Sequence, residues 1–215
     1  MRVLALMEKH GLPANPKKCE FDKEKIDFLG YVIGEGKIEM DPGKVEGLQK
    51  WPTPQTLKEV RQFLGFGNFY RRFIHHYSEL AVPLHNLLKK DVPFAWTDDC
   101  EKSFLTLKEK FTSYPVLRMP DATRPFQIEA DASKHASGAV LTQQDDNGAR
   151  HPIAFLSKAF AQAQRNYQIY DRELLAIIRA LEEWRYFIVG NPFKTVVYSD
   201  HRNLTYWKDP QKLSP

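Results

Sequence analysis

Apolar positions in the first half of the chain recur mostly at helical spacing. Val3, Leu4, Met7 and Leu12 outline a short opening helix that Gly11 would end. Strands are expected over 18–21 and 26–33, and Gly34-Glu35-Gly36 supplies the turn into a further strand over 37–40, together the edge of a sheet. Asp41 followed by Pro42 reads as a cap and first helical position, and Trp51-Pro52-Thr53-Pro54 closes that helix. Thr56 starts a longer one, with Leu57, Val60, Phe63, Leu64 and Phe69 on helical spacing and Lys58, Arg61, Arg71 and Arg72 between them. A helix over 78–89 and another from the Thr97 cap to about residue 111 complete an all-helical middle. Tyr114-Pro115 and Met119-Pro120 mark a linker.

After residue 123 the period changes. Strands are expected over 126–131, 138–143 and 152–157, the last two joined through Asn147-Gly148. A strong amphipathic helix follows, its face of Leu174, Ile177, Ile178, Leu181 and Trp184 expected to pack on the sheet. Gly190-Asn191-Pro192 ends it. A strand over 193–199 and a short helix after Asp200 come next, and no internal repeat or low-complexity segment occurs.

Composition places the chain among globular proteins, with 42% hydrophobic and 13% aromatic residues in 215. The excess of 31 basic over 27 acidic residues fits a nucleic-acid partner without requiring one. Its distribution is more informative. Segment 56–90 carries Lys58, Arg61, Arg71, Arg72, Lys89 and Lys90 against only Glu59 and Glu79. Cys19 and Cys100 lack spaced partners, which excludes a zinc motif or disulfide framework and suggests reduced thiols. With no long apolar run and no signal-peptide order, a soluble, unsecreted protein is expected.

Candidate chemistry gathers in the second half. Asp131 on the first strand there, Glu173 near the start of the long helix and Asp200 at the end of the fourth strand fall where a sheet and its helix converge. Taken singly, each is an ordinary cap or solvated charge. Clustered, three carboxylates repel one another unless hard divalent cations neutralise them, the arrangement that two-metal hydrolysis of a phosphodiester uses. Glu129, two residues before Asp131 on the same strand face, is a weaker candidate ligand. His75, His76 and His85 lack ligand-compatible partners and read as surface or packing residues.

The wording around these acids carries a resemblance. IEADASKHASGAVLTQ, NYQIYDRELLAIIRALEEWRYFIVG and VYSDHRNLTYW resemble, in order, the ribonuclease H domain of gypsy-class LTR retrotransposons and retroviruses. Upstream, PKKCEF, IDFLGYVI, DPGKVEGLQKWPTP, VRQFLGFGNFYRRFI and AVPLHNLLKK are similar to the palm end and thumb of the same reverse transcriptases. The resemblance implies a mixed α/β fold: a ribonuclease H-like mixed sheet with packed helices, preceded by an α-helical thumb and a palm β-hairpin remnant. The boundaries it implies are 1–40 for the palm end, 41–112 for the thumb, 113–122 for the linker and 123–215 for a C-terminally shortened ribonuclease H domain.

By the same resemblance, Asp131, Glu173 and Asp200 are catalytic metal ligands for two Mg²⁺ ions, which Mn²⁺ can replace, with Asp131 shared by both. His201 and Asn203 are helix-start residues. Phe28, Leu29, Gly30 and Tyr31 match the hairpin that grips a primer end, although alone they read equally as a half-buried strand. Arg71 and Arg72 match thumb residues beside the nucleic-acid backbone, with Arg61 and Gly65 on the same helix, against the alternative of a solvated face. Gly65 and Gly67, poor helix formers, suggest close approach by another backbone or by duplex. The implied partners are RNA/DNA hybrid, template-primer duplex and the rest of the polyprotein, with a homodimer left open, in the cytoplasm or the element's virus-like particle.

Two departures from the family matter. The Tyr-x-Asp-Asp turn of the polymerase does not occur in these 215 residues, so polymerisation is not expected of them. The family's fourth acidic ligand would lie past Pro215, and Asp209 sits too near Asp200 to replace it. Slow cleavage in Mg²⁺, partly rescued by Mn²⁺, is therefore expected. A module that binds hybrid without cutting it is the alternative. An integrase-type site is disfavoured, since its acids run Asp, Asp, Glu and here Glu173 lies between the two Asp residues.

Overall fold

The computed structural model describes residues 2–90, 92–113 and 116–200. Helix α1 (Arg2–Lys9) opens the chain, and Gly11 follows it with φ +65°. The strand expected over 18–21 does not form. Instead Asn15 caps a 3-10 turn at Pro16–Lys18, because its side chain accepts from the Lys17 N–H and Pro16 fits the first helical position. The strand expected over 26–33 is two strands. Leu29 (φ 49°) and Gly30 (φ 80°) make a tight two-residue turn between β1 (Lys25–Phe28) and β2 (Tyr31–Gly34). Glu35 and Gly36 turn the chain again into β3 (Lys37–Met40).

Helix α2 (Pro42–Gln49) starts at the Asp41 cap and α3 (Leu57–Tyr70) at the Thr56 cap. A 3-10 turn, Arg71–Phe73, ends α3. The single helix expected over 78–89 is broken into α4 (Tyr77–Leu80) and α5 (Val82–Leu87), where Pro83 has no N–H to continue the first. Helix α6 (Asp98–Thr112) runs from the Thr97 cap, as expected. The segment read as linker contributes β4 (Leu117–Arg118), which pairs with β3 and completes a four-stranded sheet in the order β1-β2-β3-β4. Its neighbours are aromatic. Phe63, Phe73, Phe104 and Phe111 form the first core with Met40, Leu48 and Leu117, and Phe155 of the second sheet packs against it.

That second sheet has β5 (Gln127–Ala132), β6 (Ala136–Gln144), β7 (Arg150–Ala159) and β8 (Val196–Tyr198) in the order β7-β6-β5-β8. Three strands form antiparallel pairs and β8 joins β5 in parallel, so the sheet is mixed. Short α7 (Gln162–Arg165) leads to α8 (Ile169–Glu183), and α9 (Arg185–Ile188) follows. Helix α8 lies on β5 and β6 by only part of the face expected: Ile177 and Trp184 pack on the sheet core, but the rest of the buried face is made by smaller and polar residues. Glu173, Ala176, Arg179, Ala180 and Trp184 are buried, while Leu174, Ile178 and Leu181 remain 39%, 43% and 38% exposed. Alanines opposite Ala130, Ala139 and Leu141 let helix and sheet approach closely, which larger side chains would prevent. The helix expected after Asp200 lies outside the described residues.

Candidate active site

Strand register brings the two aspartates together. In the parallel pair, Gln127, Ile128 and Glu129 oppose Val196, Val197 and Tyr198, and two residues further along both strands come Asp131 and Asp200. Period-2 alternation buries Ile128 and Ala130, whereas Asp131, near the end of β5, is exposed. Glu173 arrives from the first turns of α8. Ligand oxygens of Asp131, Glu173 and Asp200 lie within 4.8 Å of one another, from three separate elements.

Glu173 is the unusual member. It is buried, its Oε2 lacks a hydrogen-bond partner, and burial followed by the neighbouring Asp131 and Asp200 carboxylates pushes its acid up to about 7. A hydrogen bond from the Ala132 backbone and the Arg172 cation only partly oppose this. An orphaned buried oxygen beside two more carboxylates fits a hard divalent cation, because a donor set of oxygen without nitrogen or sulfur suits Mg²⁺ or Mn²⁺.

The remaining candidates fall elsewhere. Glu129 accepts an ion-paired hydrogen bond from Arg150, whose guanidinium lies 4.9 Å from the Tyr198 ring centroid, and does not join the cluster. Asp209, His201 and Asn203 lie outside the described residues. Leu29 and Gly30 form the hairpin turn, with Phe28 52% and Leu29 74% exposed. Helix α3 anchors this turn: Tyr70 Oη donates to Gly30 O at 2.8 Å, and Tyr31 stacks on Phe69 at 5.3 Å. Arg61 is exposed, and Gly65 faces open space. Gly67 is explained from inside the protein, since a Cβ there would come 2.6 Å from Tyr77 Oη.

Arg72 lies 6.0 Å from the Tyr31 ring centroid, whereas Arg71 is turned inward toward Ser78 and Ser157. Sequence reasoning missed that inward contact. His75 is a surface and packing residue as expected, but its contact with Phe155 is not foreseen from the sequence; the imidazole is lowered to about 4 by desolvation and then by His76, with Asp131 opposing. Nothing local in the sequence signals either, because both partners come from a strand some 80 residues away.

Comparison with known proteins extends this picture. A family model described as the RNase H-like domain found in reverse transcriptase matches residues 96–195, ending just before Asp200. The Transposon Tf2-3 and Tf2-4 polyproteins of Schizosaccharomyces pombe are each 39% identical over 204 residues, 94% of this chain. The chain belongs to the reverse-transcriptase ribonuclease H-like family of gypsy-class LTR retrotransposons. It spans about 15% of the length of the retrotransposon polyproteins it matches.

Among solved structures, that of the foamy viral protease-reverse transcriptase dRH in complex with double-stranded DNA superposes with a TM-score of 0.79 at 22% identity. The match covers 98% of this chain and 37% of that one. The foamy viral protease-reverse transcriptase in complex with RNA/DNA hybrid gives 0.72 at 23% identity, covering 89% and 26%. The retrotransposon chain shares this fold: a helical N-terminal part followed by a ribonuclease H-like mixed sheet with packed helices.

Proposed function

We propose that this chain cleaves the RNA strand of RNA/DNA hybrids at the Asp131, Glu173 and Asp200 cluster, while the helical part holds the duplex as a thumb. One observation carries the reading: three carboxylates from three elements converge within 4.8 Å around a buried, unpartnered Glu173 oxygen. A purely structural cluster of acids would cost stability for no return. Asp131, Glu173 and Asp200 would together hold divalent cations, with Asp131 as a ligand that two of them would share. Bound there, such cations supply charge neutralisation for an attacking water and for the departing 3′ oxygen.

The chain's own groups do the positioning. Burial leaves Glu173 Oε2 without a hydrogen-bond partner, and the β5–β8 register fixes the aspartate pair. The exposed hairpin turn at Leu29-Gly30, with Phe28, Tyr31, Arg72, Arg61 and Gly65, forms the surface we assign to the duplex. Two structures sharing the fold are complexes with double-stranded DNA and with RNA/DNA hybrid, which supports that assignment. Discrimination of hybrid rests on the RNA 2′-hydroxyls and duplex shape, so cutting is expected to be largely independent of sequence. The domains follow as palm end (1–40), thumb (41–112), connecting segment with β4 (113–122) and ribonuclease H domain (from 123).

The test is an end-labelled substrate panel of RNA/DNA hybrid, duplex DNA and duplex RNA, with Mg²⁺ or Mn²⁺. Cutting confined to the RNA strand of the hybrid and abolished by chelation is expected. Hybrid binding with no cutting in either cation would instead establish a binding module.

A further inference from the structure

Arg71 and Arg72 are neighbours in the basic segment, yet their side chains have different surroundings. Arg72 reaches the edge of the hairpin surface over Tyr31. Arg71 turns inward. Its Nη1 donates to Asn68 Oδ1 at 3.0 Å, its Nη2 to Ser78 Oγ at 3.1 Å and also to the Ser157 carbonyl, and the guanidinium lies 5.5 Å from the Tyr77 ring centroid. Around it, Ser78 Oγ donates to the same Ser157 carbonyl at 2.9 Å and Ser78 N–H donates to Ser157 Oγ at 2.8 Å. Ser78 and Ser157 are buried.

The strand partner of Ser157 decides the consequence. Ser157 on β7 pairs with Gly138 on β6, and Gly138 pairs with Asp131 on β5. Gly138 is also where His76 seats, since a Cβ there would come 3.2 Å from His76 Nδ1. His76 adopts a left-handed backbone (φ 56°, ψ 24°) unusual for a non-glycine residue, a conformation this seat holds in place. One rung across three adjacent strands thus carries the clamp at Ser157, the seat at Gly138 and the carboxylate at Asp131. Adjacent strands are about 4.8 Å apart, so the clamp lies about 10 Å from the Asp131 backbone.

We propose that Arg71 is a positioning residue: it clamps the helical unit onto the second sheet and thereby sets where along a bound hybrid the Asp131 cluster cuts. This rests on the ribonuclease reading above. A guanidinium committed to a buried carbonyl and two side-chain oxygens is not free for phosphate, so the pair divides the work. Arg72 supplies the cation for the duplex and Arg71 supplies the geometry. Lysine cannot replace it, because a single ammonium lacks the planar fork that spans Asn68, Ser78 and Ser157 together.

The test uses the full chain as wild type, Arg71→Ala, Arg71→Lys and Arg72→Ala, with three readouts. These are the salt dependence of hybrid binding, amide exchange at Ser78, and the map of cuts on a hybrid with a recessed DNA 3′ end. Arg72→Ala is expected to lower the log–log salt slope by about one and to leave the map unchanged. Arg71→Ala is expected to leave the slope unchanged, to lower protection at Ser78 by about tenfold or more, and to spread the cuts over several further nucleotides. Arg71→Lys is expected to recover these only in part.

A slope lowered by about one in Arg71→Ala, with exchange and cut map as in wild type, would overturn the proposal and make Arg71 a phosphate contact. Should Arg71→Ala not fold, Ser78→Ala removes an acceptor of the Arg71 guanidinium together with the Ser78 bond to the Ser157 carbonyl, and leaves the arginine in place. It is expected to give the same spread of cuts, and an unchanged map there would overturn the proposal equally. A wild-type chain that binds hybrid but cuts none would remove the positioning role together with the ribonuclease reading, while slope and exchange still report whether the clamp exists.

Discussion

Glu173 concentrates the chemistry of the candidate site in one carboxyl group. Its folded value of about 7 lies above the ordinary 4.5, so the fold favours the protonated form in the absence of a cation. The stability this contributes is full below about 4.5 and is lost as pH rises through about 7. A bound cation reverses the preference by stabilising the charged form. Thermal melts of the cation-free chain should therefore fall between pH 5 and pH 8, with Mg²⁺ adding most at the upper end. Glu173→Gln should flatten the pH dependence and abolish the Mg²⁺ increment. Equal Mg²⁺ increments in wild type and variant would mean that any bound ion sits elsewhere.

Helix α8 shows how far an element can be read from sequence. Its existence, its approximate ends and the position of Glu173 near its start follow from periodicity. The buried face follows only in part: Ile177 and Trp184 pack inward as expected, but apolar weighting also favours Leu174, Ile178 and Leu181, while close packing on a sheet favours Ala176 and Ala180 and the site holds Glu173 inward. Ala180→Leu should destabilise by about 1–3 kcal/mol through overpacking. Ile178→Ser, on the outer face, should cost less than about 0.5 kcal/mol. Urea titrations of the two variants decide the matter, and the reverse order would restore the face expected from the sequence.

Glycine gives the same lesson at α3. A glycine at 67 signals close approach, expected from another backbone or from duplex, and what comes close is a side chain. Here it is Tyr77, so Gly67→Ala should destabilise even though alanine is the better helix former. A urea midpoint raised by Gly67→Ala would show that Tyr77 yields without cost. Helix caps at Asp41, Thr56 and Thr97 are legible because they depend only on neighbours in sequence. The 29–30 hairpin turn is missed by periodicity and named only by the resemblance, and β4 is missed altogether, since it is fixed by pairing with a distant strand.

For the whole molecule, the informative region is the contact between the helical unit and the second sheet. His75 lies within it against Phe155, and burial lowers its value from 6.5 to about 4. Its contribution to stability is full above about 6.5 and is lost as pH falls toward about 4, opposite in sign to Glu173. His75→Phe should therefore remove part of the acid loss without altering the alkaline side, as followed by melting temperature against pH. An unchanged acid limb would place the sensitive group elsewhere.

On the proposed reading, both sheets and the helical unit hold three carboxylates and a duplex surface in fixed relation. The most direct test of that account compares wild type with Asp131→Asn, matched in circular dichroism and melting, on one labelled RNA/DNA hybrid with Mn²⁺ or Mg²⁺. The account predicts metal-dependent cutting of the RNA strand by wild type and none by the variant, with hybrid binding retained. Equal cutting by both proteins would contradict it.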